Sequence, residues 1–354
     1  MQPDSRSAGC AGCAGCAVAI IAAMSFFAIL FALLIEQARP LAGSNPIHGG
    51  IRAWALSISR NVDSGTPHQS WLAWCIAVLL PGLIVLGVHN LLLWSLGWPF
   101  AMLWSVAVLY LTLGFRQFSH YFTGLRDALE DNDTARTRQL LAEWQRVDVG
   151  SLPRSELVRH VIECSAIAAH RHVFGVLACY SLFAAFGFGP AGAVLYRMAE
   201  FVARHWSSNS GSSTHPVSSV LQDVSSRAWA TIDWLPARLT ALSFAVVGSF
   251  EEAIEGWRFH AQHFPNDNDG VVLAATAGAI NVRLGGDALN TSASDRNASA
   301  SASAGAGAAP FGAGHTPGRE PEAGHLRSVV GLVWRSVVVW MLLLALLTLA
   351  RLLG

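Results

Sequence analysis

Apolar residues gather along this chain in long runs free of charge, without the three-to-four-residue spacing of a soluble amphipathic helix. Residues 17–35, 71–93, 100–115 and 336–349 contain no charged side chain, and residues 173–195 form a fifth run of the same kind. About 20 apolar residues cross a hydrocarbon core about 30 Å thick, where an unpaired backbone amide is heavily penalised. The pattern therefore predicts an all-α polytopic integral membrane protein with four to six transmembrane helices, and the lipid bilayer is its first partner. The uncharged run at residues 239–250 is short for a span and reads as a re-entrant or tilted helix. That leaves the membrane side of residues 196–327 open.

The polar segments between the runs set the expected orientation. Residues 36–70 carry Arg39, Arg52 and Arg60, residues 116–172 carry eight arginines, and the turn at residues 94–99 carries none. By the positive-inside rule both arginine-bearing segments are cytoplasmic, the second and third spans form a hairpin between them, and the N-terminus lies outside. Charged and apolar residues alternate at helical spacing within 116–172, with Asp133 as an N-cap for a helix through Leu140, Leu141 and Trp144 and a second start at Ser151-Leu-Pro-Arg-Ser-Glu. These segments predict a cytoplasmic amphipathic helical layer, although a purely solvated charged face accounts for the same pattern. Ser/Gly-rich residues 207–213 and the Ala/Ser/Gly/Pro tract at 288–324 read as flexible loops.

Composition supports a membrane protein: 53% of residues are hydrophobic and 13% charged, and the mean hydropathy is +0.41. The 13 Trp and 17 Phe suit interfacial belts and lipid-facing surfaces. Every basic residue is Arg and the formal net charge is zero, which argues against nucleic acid as a partner. Cys10, Cys13 and Cys16 form a C-x-x-C-x-x-C run without the second ligand set that zinc or a cluster requires. Met24-Ser-Phe-Phe reads as the natural start, which would make residues 1–23 a non-native or disordered extension. A cleaved signal peptide would need more basic charge and an A-x-A site. With no Lys there is no phosphate-binding Gly-x-x-x-x-Gly-Lys loop, and G-x-S-x-G is also missing. Gly187, Gly189 and Gly192 have dinucleotide-loop spacing, but beside Pro190 at the end of a span they read as close-packing residues.

Two polar groups stand out near the apolar runs. His160, Glu163, His170, Arg171 and His172 lie on or beside one helix, with residues 160, 163 and 171 within an arc of about 80° at about 100° per residue. An ionisable cluster at a membrane boundary suits an anion or phosphate pocket oriented by Glu163, and interface anchoring is the competing reading. Asp267, Asn268 and Asp269 follow Phe264-Pro-Asn with His260 and His263 upstream. Carboxylates and imidazoles so placed suit a divalent ion, while a turn at Pro-Asn-Asp-Asn-Asp-Gly explains them equally well. Arg335 reads as a snorkelling residue in the first turn of the last span.

Several short segments occur in the order found in one family. Asn45-Pro-Ile-His-Gly-Gly-Ile-Arg-Ala-Trp, the helical pair from Leu129 to Leu152, Leu235-Pro-Ala-Arg-Leu, Pro265-Asn266 and Ala277-Gly-Ala-Ile-Asn-Val-Arg-Leu-Gly-Gly together resemble the CobD/CbiB membrane proteins of cobalamin biosynthesis. Arg171-His-Val-Phe-Gly, Gly189-Pro190 and Asp233-Trp-Leu-Pro-Ala-Arg-Leu also resemble the related AmpE proteins. The similarity runs from Met24 to Gly286. It divides the chain into the extension at 1–23, a membrane domain at 24–286, a low-complexity loop at 287–326 and a C-terminal transmembrane helix at 327–354.

The CobD/CbiB resemblance implies a multi-pass protein of the bacterial inner membrane that joins an aminopropanol unit to the propionate of adenosylcobyric acid, a corrinoid substrate, giving adenosylcobinamide or its phosphate. ATP and Mg²⁺ would be the cofactors if that activity is retained. It implies Glu163, retained from the family's first acidic motif, as a catalytic carboxylate, with Arg238 and Asn266 among its matched segments as substrate-binding residues; the polar groups above add His160 and Arg171 as substrate-binding residues and Asp267 and Asp269 as metal ligands. The family's other acidic, amide and threonine motif positions fall here on Ile167, Ala168, Arg171, Glu200, Phe201, Ala203, Trp229 and Ala230. Apolar and cationic side chains among these cannot coordinate Mg²⁺. The AmpE resemblance implies the alternative, a non-enzymatic membrane protein that senses cell-envelope stress.

Overall fold

The computed structural model describes residues 24–38, 46–113, 123–129, 131, 133–145, 153–208, 217–286 and 314–353. In chain order the helices are α1 (Met24–Ala38), α2 (Pro46–Val62), α3 (Pro67–Ser95), α4 (Trp98–Thr112), α5 (residues 123–129), α6 (Thr134–Gln145), α7 (Arg154–Ala169), α8 (Gly175–Ala185), α9 (Ala191–Ser208), α10 (Ser219–Val247), α11 (Phe250–His260), α12 (Asp267–Ile280) and α13 (Ala323–Leu353). A π-helical turn, His170–Phe174, joins α7 to α8. Among the described residues β structure is limited to two isolated bridges, Val282 with Arg319 and Gly285 with His315. The protein is all-α, as the apolar runs predict.

Among the described residues four continuous helical segments are long and apolar enough to cross a membrane: Pro67–Ser95, Arg154–Ala185, Ser219–Val247 and Ala323–Arg351. The apolar helices Met24–Ala38 and Trp98–Thr112 are shorter. Large hydrophobic side chains stay exposed along these helices, among them Leu83, Ile84 and Leu91 on α3 and Leu342, Leu346 and Leu347 on α13. In water such surfaces would drive association, whereas hydrocarbon leaves them in a matching solvent.

Local chemistry sets the ends of the second and third apolar helices. Pro67 and Pro99 occupy first-turn positions, where a missing N–H costs nothing. Gly97, at φ +90°, makes the reversal between α3 and α4.

Three sequence expectations need correction. The run at 173–195 is not one span, because α8 stops at Ala185 and α9 begins at Ala191. Gly187 and Gly189 take φ of +82° and +53° there, and Pro190 supplies no backbone donor, so the helix cannot continue. The helix entering this break instead starts far upstream, at Arg154. Residues 239–250 are not a short re-entrant piece but mostly the end of the 29-residue α10. Pro236 lies inside it, and one turn later Thr240 Oγ1 donates to the Pro236 carbonyl at 2.9 Å. The third correction concerns Pro-Asn-Asp-Asn-Asp-Gly, which starts α12 with Asn266 at the N-cap position and Asp267 and Asp269 in the first turn. Carboxylates are favoured there by the helix dipole, so the turn-forming residues act as a helix start.

Asp133 is the N-cap anticipated from sequence, its Oδ1 accepting the Arg136 N–H at 2.9 Å. Residues 1–23, which include the cysteine run, lie outside the described residues, as do 209–213 of the Ser/Gly break and 287–313 of the low-complexity tract.

The chain divides into two compact units. The first comprises Met1–Gly114, Gly175–Asp233 and Val339–Gly354. Its core joins Ala55 and Ile58 of α2, Trp74 and Val78 of α3, Val202 and Trp206 of α9 and Leu221 of α10. The second comprises Phe115–Phe174 and Trp234–Val338. Its core joins Leu125, Leu129 and Leu141 with Leu157, Val161 and Ile162 of α7, Ala274 and Ala277 of α12, Leu284 and Leu326.

Candidate functional site

The second unit contains the residues singled out from sequence, in two groups. The first surrounds Glu163 on α7. Its Oε1 accepts the Gly285 N–H at 2.8 Å and faces Arg159 at 3.2 Å, and its Oε2 lies 3.3 Å from His160 Nδ1. Arg159, with a side chain only 3% exposed, also donates to Glu156 and to the Gly285 carbonyl. One buried guanidinium thus joins two carboxylates to a loop backbone. Such charge-assisted bonds are roughly twice as strong as neutral ones.

The loop so held is the Leu284-Gly-Gly segment. Leu284 N–H donates to Thr316 Oγ1 and Thr316 N–H to the Leu284 carbonyl, both at 2.8 Å. Arg283 N–H reaches the Arg319 carbonyl, also at 2.8 Å. Gly286, at φ +95°, lies so close to His315 that a Cβ would come within 2.3 Å of its ring. The first group therefore fixes a backbone conformation, with Glu163 as its central acceptor.

The second group meets the first turn of α12. Arg171, in the π-helical turn, pairs with both oxygens of Asp269 at 2.7 and 2.9 Å, and Asn266 Nδ2 donates to the same carboxylate at 3.1 Å. Arg238, from α10, donates to Asn268 Oδ1 at 3.3 Å and to the Trp234 carbonyl at 2.9 Å, its guanidinium lying 4.1 Å over the Trp234 ring. Beside it, His170 Nδ1 lies 2.9 Å from Thr240 Oγ1. Two cationic side chains from separate helices converge on the first turn of α12, Arg171 on the Asp269 carboxylate and Arg238 on the neutral oxygens of Asn268 and Trp234.

Of the residues expected at the site, Glu163 and His160 share the first group, and Arg171, Arg238, Asn266 and Asp269 share the second, with Asp267 in the same helical turn. The residues 160, 163 and 171 meet two sets of partners, because Arg171 stands eight residues, about 12 Å of helix axis, beyond Glu163. Sequence reading missed Arg159, Trp234 and Thr316. Arg159 was legible, standing three residues after Glu156 and four before Glu163; Thr316 was not, because its partner is 32 residues away.

This donor set does not fit magnesium. Among the described residues no group of three or more His, Cys, Asp or Glu gathers where a metal could be held. Asp269 is already compensated by Arg171, whereas Mg²⁺ requires oxygen ligands at near-octahedral geometry.

Similarity to known proteins runs along nearly the whole chain. A family model described as CobD/Cbib protein matches residues 26–304. The chain is 29% identical to a cobalamin biosynthesis protein CobD of Stutzerimonas stutzeri over 90% of its own length and 96% of that protein's. It is also 29% identical to a protein of the same name from Chromobacterium violaceum, over 66% of this chain and 67% of the relative. A third, from Leptospira interrogans, is 26% identical over 61% of this chain and 66% of its own. No solved structure matches. These relatives bear the cobalamin name, so the AmpE-like alternative is not favoured. Residues 26–304 cover the polar groups on α7, α10 and α12 together with the helices that carry them, and the chain belongs to the CobD/CbiB family of cobalamin biosynthesis proteins.

Proposed function

We propose that this protein is a multi-pass inner-membrane enzyme for the amide-forming step of corrinoid assembly, joining aminopropanol or its phosphate to the propionate of adenosylcobyric acid. The observation that carries the reading is the convergence of Arg171 and Arg238 on the first turn of α12 in a member of this family. Both candidate substrates bring an anion, a carboxylate on the corrinoid or a phosphate on the amine. The Arg238 guanidinium, held by neutral oxygens beside a helix N-terminus, suits either.

Amide formation from a free carboxylate requires activation, which a nucleoside triphosphate supplies in such reactions. The residues here define binding and orientation. Arg238 holds the anion while the Trp234 face restrains its guanidinium, and Asn266 and Asp269 keep Arg171 extended toward α12. Glu163, with His160 and Arg159, acts through the Gly285 backbone as a positioning residue for the loop.

The reading is tested in a bacterial strain lacking its cobinamide-forming synthase, grown on cobyric acid where cobalamin is required. Growth with the wild-type gene, and a fall of about 10- to 100-fold in cobinamide formation for Arg238→Ala, are the expected results, since a hydrogen bond to a charged group is worth about 1.5–3 kcal/mol. No growth, with the protein present in the membrane, would overturn it.

A further inference from the structure

Away from these residues, the first unit carries its own concentration of charge on α9 and α2. Glu200, with a side chain only 4% exposed, accepts from Arg197 Nη1 at 3.1 Å and from Arg204 Nη1 at 2.8 Å. The Arg197 side chain is 20% exposed and the Arg204 side chain 63%. Arg52, exposed on α2, stands close enough for its charge to act on His205, the residue after Arg204, and forms no ion pair among the described residues. Three guanidiniums against one carboxylate leave a local surplus of positive charge.

Packing places this surplus beside an apolar helix. A Cβ on Gly82 of α3 would stand 3.9 Å from the Ala191 carbonyl oxygen at the start of α9, and Met198, Ala199 and Val202 share a core with Trp74, Ala77 and Val78. α9 therefore runs antiparallel to α3, which sets Arg197 and Arg204 level with the first half of that helix. There the polar residues 67–70 give way to the uncharged run, and Trp71 and Trp74, with rings 6.0 Å apart, stand where aromatic residues mark a membrane interface. This is also the side that the arginine distribution assigns to the cytoplasm. The leaflet on that side is rich in anionic lipids, and basic pockets between transmembrane helices there bind their headgroups. The accessible stripe of α9 suits an amphiphile, since Val194, Arg197, Phe201 and Arg204 recur at three- and four-residue spacing and alternate apolar with cationic side chains. A planar guanidinium matches phosphate oxygens two at a time. We propose that Arg52, Arg197 and Arg204 form a binding site for the headgroup phosphate of an anionic phospholipid, with Glu200 holding two of the three guanidiniums in place.

The test is a binding measurement, independent of the amide-forming reaction. Full-length protein in a neutral detergent is titrated with phosphatidylglycerol or phosphatidylcholine, and bound lipid is counted by native mass spectrometry. Phosphatidylglycerol is expected to bind in preference to phosphatidylcholine. Arg204→Gln and Arg52→Gln, which alter exposed side chains and leave the core intact, are each expected to weaken phosphatidylglycerol binding about fivefold, as for one arginine beside an anionic surface. Arg60→Gln, two turns further along α2, should leave it unchanged. Equal affinity for the two lipids, or an equal loss from Arg60→Gln, would show general attraction in place of a site and overturn the proposal. Inorganic phosphate binding as tightly as phosphatidylglycerol would assign the arginines to a soluble anion and overturn it as well.

Discussion

His205 shows how position within the fold governs a single side chain. Near the end of α9 it stacks on Phe201 with ring centroids 5.3 Å apart, and burial, assisted by the Arg52 charge, lowers its pKa below 6.5. The unfolded chain therefore binds a proton more readily than the folded one. This contribution to stability is complete above pH 6.5 and is lost as pH falls from there through the folded value. Thermal unfolding recorded from pH 8 to pH 5 is expected to show a larger acid loss for wild type than for His205→Gln; equal losses would show that His205 does not contribute. Glu163 illustrates the opposite limit of legibility. Its sequence marks it as a site carboxylate, yet its partner Gly285 N–H is 122 residues away, and only the folded chain reveals that it holds a loop.

At the scale of elements, α11 and α12 pack through glycines that no side chain can replace. A Cβ on Gly278 would come within 2.2 Å of the Glu252 carbonyl oxygen, and one on Gly256 within 2.6 Å of that of Ala274. Backbone cannot yield as a flexible side chain can. Gly278→Ala is thus expected to destabilise the protein by about 1–3 kcal/mol, the usual cost of overpacking. Gly87→Ala on α3, where nothing stands within 4 Å, serves as the control and should be neutral or slightly stabilising. Thermal unfolding of the two variants checks this, and equal stabilities would contradict close packing at Gly278. The sequence marks Gly256 and Gly278 only as small residues within helices, because their importance depends on the approach of a second backbone.

For the whole molecule, the distribution of arginine carries the remaining prediction. Reporter fusions after Val62 and after Gln145 are expected to report the cytoplasmic side, and a fusion between Ser95 and Trp98 the opposite side. A cytoplasmic signal from all three would refute the α3–α4 hairpin as a crossing pair. The helical membrane class was legible in the sequence, since uncharged runs of this length have few other stable solutions and hydropathy is a local property. So were Asp133 as a cap and the residue types at Glu163, Arg171, Arg238 and Asp269, because each stands in a recognisable local pattern. Sequence alone did not reveal the break at 186–190, the extension of α10 back to Ser219 or the division of the polar residues into two groups. Left-handed glycines and hydrogen bonds spanning about a hundred residues produce these features. Local hydrophobicity determined which segments become helices, and tertiary contacts alone decided where those helices end and which charges meet, because both depend on neighbours distant in the chain.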